Sequence, residues 1–366
     1  MNYSAIFSRL LTGTTNSYKY LFLKAITERV INNEKTILID DLIFDMLVLA
    51  WYPSQYFKLS LGIQDKIGNI FFEQDFNYNS AVSMTSSSFK KQLKKDITNN
   101  IDISDIRIKL AAYVQYRLLT PFFSEELKGK KDQEKNQIIF FLAHTYFESK
   151  CPLYKISSDR KSIELNSLWF NFIRKNISII NSYQKVEWIH YLQKNNPNIP
   201  AIIYKTEPPT RRSSLKEQQN FWEEFIFNNP NEKCIFTGNK LITMKLSIDH
   251  FLPWSFICHD RLWNLIPTGS VINSSKGNNL PNLNMYLQMF IEQQFRAINF
   301  HSKKTKNWKK YSDSYVQDLG FRNHAELLDK NKFTTNLCKV IESQYILAKD
   351  SGFNPHWVAK PNESQN

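Results

Sequence analysis

The sequence predicts a mainly α-helical protein with one small strand–loop–strand–helix unit embedded in it, α+β overall. Two observations carry this. Helical patterns, with apolar residues three and four apart, recur from Tyr18 to Lys349. Strand-like runs are short, and two of them, Leu246-Ser247-Ile248 and Leu262-Trp263-Asn264-Leu265-Ile266, fall within residues 245–281. With 366 residues, 42% of them hydrophobic, the chain can bury a good core and holds two or three domains.

Asn16-Ser17 caps a helix whose apolar face is Tyr18, Leu21, Phe22, Ala25, Ile26 and Val30. Asp40-Asp41 opens a second, residues 42–51, apolar nearly all round and therefore central in a core, and Trp51-Tyr52-Pro53 ends it. The aromatic segment through Tyr56, Phe57 and Leu59 packs on these helices. Residues 83–88 are polar apart from Met84. Lys90, Lys91, Lys94 and Lys95 then form a helix-spaced basic stripe, read as a solvated face or as a contact to a DNA backbone. A helix over 106–119 stops near Pro121. A charged linker, 125–135, leads into the apolar run 138–147, whose His144 reads as a core histidine. Residues 156–165 read as a hairpin around Ser158-Asp159, 168–174 and 186–192 as amphipathic helices, and 199–204 as extended. The stiff, basic stretch 207–212, with Pro208-Pro209, is the expected interdomain linker, and its Arg211 and Arg212 are candidate phosphate contacts.

Past the linker, Ser213 or Ser214 starts a helix through Trp222 and Phe225. Cys234-Ile235-Phe236-Thr237-Gly238 reads as a strand and tight turn. The β-prone run at Leu246 ends in Asp249-His250, and an aromatic loop with Pro253 and Trp254 follows. The second run is closed by Pro267-Thr268-Gly269. Ser270 caps a helix whose next turn carries Asn273, Lys276 and Gly277. Such a layout supports metal-assisted phosphodiester hydrolysis. Asp249 and Asn273 offer oxygen ligands to a hard divalent cation. Strand alternation turns His250 away from that carboxylate, where an imidazole can take a proton from an attacking water near neutral pH. Asn264 ties down the loop or holds the imidazole in its working tautomer. Lys276, about one helical turn beyond Asn273, is expected close to the phosphate.

These residues resemble the HNH endonuclease family, over residues 234–281. The matching elements are Asp249-His250, Leu252-Pro253-Trp254-Ser255, Asn264-Leu265 and Asn273-Ser274-Ser275-Lys276-Gly277. The resemblance is to the H-N-N form of the ββα-metal finger, seen also in the HNH domain of RNA-guided CRISPR effector nucleases. It implies that His250 is the general base, Asp249 and Asn273 are metal ligands, and Asn264 is an orienting, structural residue. Many members carry two zinc-binding cysteine pairs. Here Cys234 stands alone, with Thr237, Gly269 and Ile272 at the other places, so no structural zinc is expected. Asn as the third motif residue favours Mg²⁺ or Mn²⁺. The implied function is metal-dependent hydrolysis of DNA in restriction or anti-phage defence. The alternatives are a non-catalytic nucleic-acid-binding module with a degenerate finger, and an RNA-directed nuclease toxin. No family is recognised for residues 1–205.

After the finger, residues 283–298 read as an amphipathic helix. Lys303, Lys304, Lys306, Lys309 and Lys310, interleaved with Trp308, form either an auxiliary DNA contact or a solvated loop. Helices near Ala325 and over 337–349 finish the fold. The expected division is a mostly helical targeting, regulatory or partner-binding domain at 1–205, the nuclease module at 206–285, and a helical extension packed on it at 286–366. Net charge is +13, which suits a polyanionic partner. A homodimer, or a regulatory protein bound through the N-terminal domain, is left open as a further partner. Four scattered cysteines without a CxxC read as reduced thiols. There is no secretory signal, and the apolar run 42–51 is too short for a membrane span and contains Asp45, so a cytoplasmic protein is expected.

Overall fold

Helical periodicity wins along most of the chain, and strands form where β-prone runs are short and bounded by turns. The computed structural model describes residues 2–73, 86–100, 103–209, 214–304 and 306–360. Arg211, Arg212, Ser213 and residues 83–85 of the polar run lie outside the described residues. In chain order the elements are α1 (Tyr3–Arg9), α2 (Tyr18–Ile31), β1 (Thr36–Leu38), α3 (Ile39–Trp51), α4 (Ile67–Glu73), α5 (Ser86–Asn100), α6 (Ile103–Arg117), α7 (Asp132–Thr145), β2 (Tyr154–Ile156), β3 (Ser162–Leu165), α8 (Ser167–Lys175) and α9 (Ile177–Asn195). They continue as α10 (Lys216–Asn228), β4 (Leu246–His250), α11 (Trp254–Ile257), β5 (Leu265–Gly269), α12 (Ser270–Lys276), α13 (Leu283–Lys304), α14 (Trp308–Asp318) and α15 (Lys330–Asp350). The fold is thus mainly α with two small sheets, as its patterning predicts. It gathers into two compact units, Met1–Pro197 with Ile202–Pro209, and Asn198–Ala201 with Thr210–Asn366.

In the first unit the predicted face of α2 is buried at all six positions, and α3 buries Leu42, Ile43, Met46, Leu47 and Ala50. Strand β3 lies between β1 and β2, antiparallel to both. Four expectations change here. Of the Asn16-Ser17 pair expected to cap α2, Asn16 Oδ1 accepts from the Tyr18 N–H at 3.2 Å, but Ser17 gives its hydroxyl to Asp65 at 2.5 Å rather than to the helix. Lys90 and Lys94 pair with Asp45 and Asp41 on α3, so half of the basic stripe answers buried or half-buried carboxylates. His144 is exposed and bonds the Ile156 carbonyl through Nε2 at 2.6 Å, a surface brace and not a core residue. Residues 202–204 form a 3-10 turn after Ala201 at φ 56°, which breaks the expected extended run.

The second unit wraps α10, α13, α14 and α15 around the small antiparallel pair of β4 and β5, in register Asp249 to Ile266 and His250 to Leu265. Phe221, Trp222, Phe251, Leu252, Phe256, Phe290, Tyr315 and Phe333 share one apolar core there. Phe251, next after His250, stacks on Phe290 of α13 with centroids 4.1 Å apart. Gln294 donates to the carbonyls of Leu265 at 2.6 Å and Leu262 at 3.3 Å, and accepts from the Tyr315 hydroxyl at 2.6 Å. The helices after the strand pair therefore hold both its core side and its backbone. Helix α13 runs past the expected end at 298 to include Lys303 and Lys304, and α14 occupies what the sequence reads as a basic loop. Cys234 lies in a tight turn closed by an isolated bridge between Lys233 and Lys240, with Gly238 at φ 73°. Among the described residues no helix is long and apolar enough to cross a membrane.

Candidate active site

Strand alternation builds the site. Ser247 and Asp249 share one face of β4, and α12 lies across it: Asn273 Nδ2 donates to Ser247 Oγ at 2.8 Å and approaches the Ile248 carbonyl at 3.4 Å. Since its nitrogen is spent on β4, the amide oxygen of Asn273 is left to accept or ligate. Asp249 is 4% exposed, and its Oδ2 accepts no well-aligned hydrogen bond. The Lys276 ammonium lies 3.0 Å from that oxygen, close enough for charge neutralisation while its aligned bond goes to the His250 carbonyl at 2.6 Å.

Lys276 is the residue whose place differs most from the sequence reading. That reading set it beside the phosphate, but its side chain is 0% exposed. An ammonium taken out of water needs partners, and here the partners are the end of β4 and Asp249. It lies at the last position of α12, just before Gly277 at φ 50° and ψ −123°, a backbone region for glycine. Its side chain supports β4 from within and does not face the surface.

His250 follows Asp249 and points the other way. Its side chain is 8% exposed, with Nε2 2.8 Å from Asp260 Oδ1. Asp260 was not singled out from the sequence; one lone acid in an irregular loop carries no periodic signal. Asn264 is wholly buried, and its side-chain amide pairs with both backbone groups of Leu252, accepting from the N–H and donating to the C=O at 2.9 Å each. Of its two expected roles it takes the first, tying down the loop, and it does so from a 3-10 turn (Leu262–Asn264) that precedes β5. Ser255 Oγ donates to Asn278 Oδ1 at 2.9 Å, joining that loop to the turn after α12.

Among the described residues no three His, Cys, Asp or Glu side chains converge on a metal position. A carboxylate and an amide oxygen are donors of the kind that suit Mg²⁺, which is commonly held by one or two carboxylates plus water and substrate oxygens. The Asp249 oxygen that lacks an aligned hydrogen bond is the one the Lys276 ammonium faces at 3.0 Å, so a cation there would share the carboxylate with Lys276.

Of the other candidates, Lys303, Lys304, Lys306, Lys309 and Lys310 are all exposed. Lys310 pairs with Glu217 at 2.9 Å, and Lys304 reaches Asn228 at 3.3 Å and covers the Phe300 ring. Where a zinc hairpin would sit, Cys234 is buried with its sulfur 3.3 Å from Thr268 Oγ1. Gln293 of α13 bonds Glu232 and the Lys233 carbonyl, and Arg296 pairs with Glu232, so helix and hairpin are clasped by polar side chains.

Residues 234–282 match the model of the HNH endonuclease family. Over 156 residues, 40% of this chain, the sequence is 26% identical to the CRISPR-associated endonuclease Cas9 of Listeria innocua serovar 6a (strain ATCC BAA-680 / CLIP 11262). The chain spans 11% of the length of that relative. No solved structure matches.

Proposed function

Starting from residues 234–282 as an HNH endonuclease module, we propose that the protein is a divalent-metal-dependent endonuclease that hydrolyses DNA phosphodiester bonds. The observation that carries this is the split at the end of β4. Asp249 and the Asn273-bearing helix lie on one face, and an imidazole with a single committed nitrogen lies on the other. His250 takes the proton of the attacking water. Asp249 and Asn273 would hold a Mg²⁺ or Mn²⁺ ion, which supplies charge stabilisation at the scissile phosphate and the departing 3′ oxygen. Asn264 keeps the loop after His250 in register with the strand pair. Lys276 braces the His250 carbonyl and neutralises Asp249, a positioning role and not a phosphate contact.

One such module cuts one strand, so a double-strand break needs two protomers or two events. The net charge of +13 supports a nucleic-acid substrate. Restriction or anti-phage defence is the proposed setting, with residues 1–205 targeting or restraining the nuclease. The test is nicking of a supercoiled plasmid by the full chain with Mg²⁺, with Mn²⁺ and with EDTA, beside structured RNA. Mg²⁺- or Mn²⁺-dependent nicking that His250→Ala abolishes while duplex binding persists is the expected result. Nicking retained by that variant rejects His250 as the base, and cleavage confined to RNA rejects the substrate.

A further inference from the structure

One nitrogen of the His250 ring is already engaged. Nε2 lies 2.8 Å from Asp260 Oδ1, and an ionised carboxylate only accepts, so Nε2 carries the hydrogen of this bond. No described residue hydrogen-bonds Nδ1, and Nδ1 is not among the sealed, partnerless atoms of the interior. In the neutral ring the lone pair therefore sits on Nδ1.

The loop that presents Asp260 is itself held. Cys258 turns the chain at φ 56°. Trp263, which is buried, donates Nε1–H to Asp318 Oδ2 at 2.7 Å, and the Arg261 guanidinium lies 3.4 Å from the same oxygen. His259 meets the Trp263 ring edge-on with centroids 5.1 Å apart. Asp318 ends α14, so the last helices of the chain anchor residues just after Asp260.

We propose that Asp260 is the positioning residue of His250: it fixes the ring's orientation and its Nε2–H tautomer, which makes Nδ1 the nitrogen that accepts the proton. The proposal rests on the nuclease reading for the use of that nitrogen, and on the hydrogen bond alone for the tautomer. Asp318 serves the same end one step removed, by holding the loop through Trp263 and Arg261.

The test uses the full chain with ¹⁵N-labelled histidine and the variants Asp260→Asn, Asp260→Glu and Asp318→Asn. Long-range ¹H–¹⁵N spectra, with His250→Gln to assign the signal, report the tautomer without any turnover. In the neutral form of its ring, reached by raising the pH until the second proton is lost, wild type should show Nε2 protonated and Nδ1 bare. An Asn amide can donate as well as accept, so Asp260→Asn should mix the tautomers. Its kcat for plasmid nicking should fall by about 10²–10³, the scale of a mispositioned base, with KM changed less than about twofold. Glu should recover part of the rate, and Asp318→Asn should lower kcat in the same direction by less. A wild-type His250 whose neutral ring is protonated on Nδ1 overturns the proposal, as does an Asp260→Asn protein with unchanged tautomer and unchanged kcat. A wild type that shows the Nε2–H form yet cuts nothing in any divalent metal upholds the positioning and rejects the nuclease reading.

Discussion

The Lys276 ammonium, sealed beneath β4, shows what a single side chain can decide. Replacing it by Met would leave Asp249 buried and charged without a counter-ion. Lys276→Met should therefore destabilise the protein by roughly 3–5 kcal/mol in urea unfolding, more than loss of one surface charge explains. His259 makes a separate prediction. Burial pushes its pKa down to about 4, with His250 and Arg261 acting the same way and Asp318 opposing. The unfolded chain, with an ordinary imidazole near 6.5, takes up the proton first on acidification. Stability is thus fully present above about pH 6.5 and drains away as pH falls towards 4, by on the order of 1–3 kcal/mol. His259→Gln should flatten that part of the stability profile in thermal melts between pH 7 and 4. That Asp249, His250, Asn264 and Asn273 gather about the end of β4 was legible because their spacing is a pattern in itself. Asp260 was not, because its partner is chosen by the path of an irregular loop. The direction taken by Lys276 was hidden too, since helical spacing gives a turn and not whether a long side chain runs inward.

At the scale of elements, two turns set the site. Asn264 supplies both hydrogen bonds that Leu252 would otherwise lack in the core, so Asn264→Ala should cost about 1–3 kcal/mol per backbone group left unpaired, read as a lower urea midpoint at unchanged slope. Gly277 holds a conformation that a Cβ strains, and Gly277→Ala should cost about 1–3 kcal/mol on that ground alone. The strand pair and, after it, α12 follow from β-prone runs, but their limits do not: β5 starts at Leu265 after a 3-10 turn and runs through Pro267 to Gly269, and Ser270 is the first residue of α12 with no side-chain cap bond. Helix α14 could not be read from the sequence, since Lys309, Lys310 and the polar residues around them mask the buried Tyr311 and Tyr315. The β-branched residues of 202–204 favour an extended run, but Ala201 adopts a left-handed φ that no propensity announces, and a 3-10 turn follows.

For the molecule as a whole, charge decides how it meets a polyanion. Lys303, Lys306 and Lys309 are exposed on the unit that carries the candidate site, and the chain is strongly basic. Duplex binding should weaken steeply with salt, and neutralising these three lysines together should reduce the log–log salt slope by about 3 if each meets a phosphate. Fluorescence anisotropy across a salt series measures it; an unchanged slope would place the contact elsewhere.

The hairpin around Cys234 is closed by a thiol–hydroxyl contact with Thr268 and by a glutamine–arginine clasp from α13. Architecture and reactivity thereby draw on different resources. If the proposed function holds, a chelator should abolish nicking while lowering the melting temperature only by the small amount that loss of one weakly held Mg²⁺ accounts for.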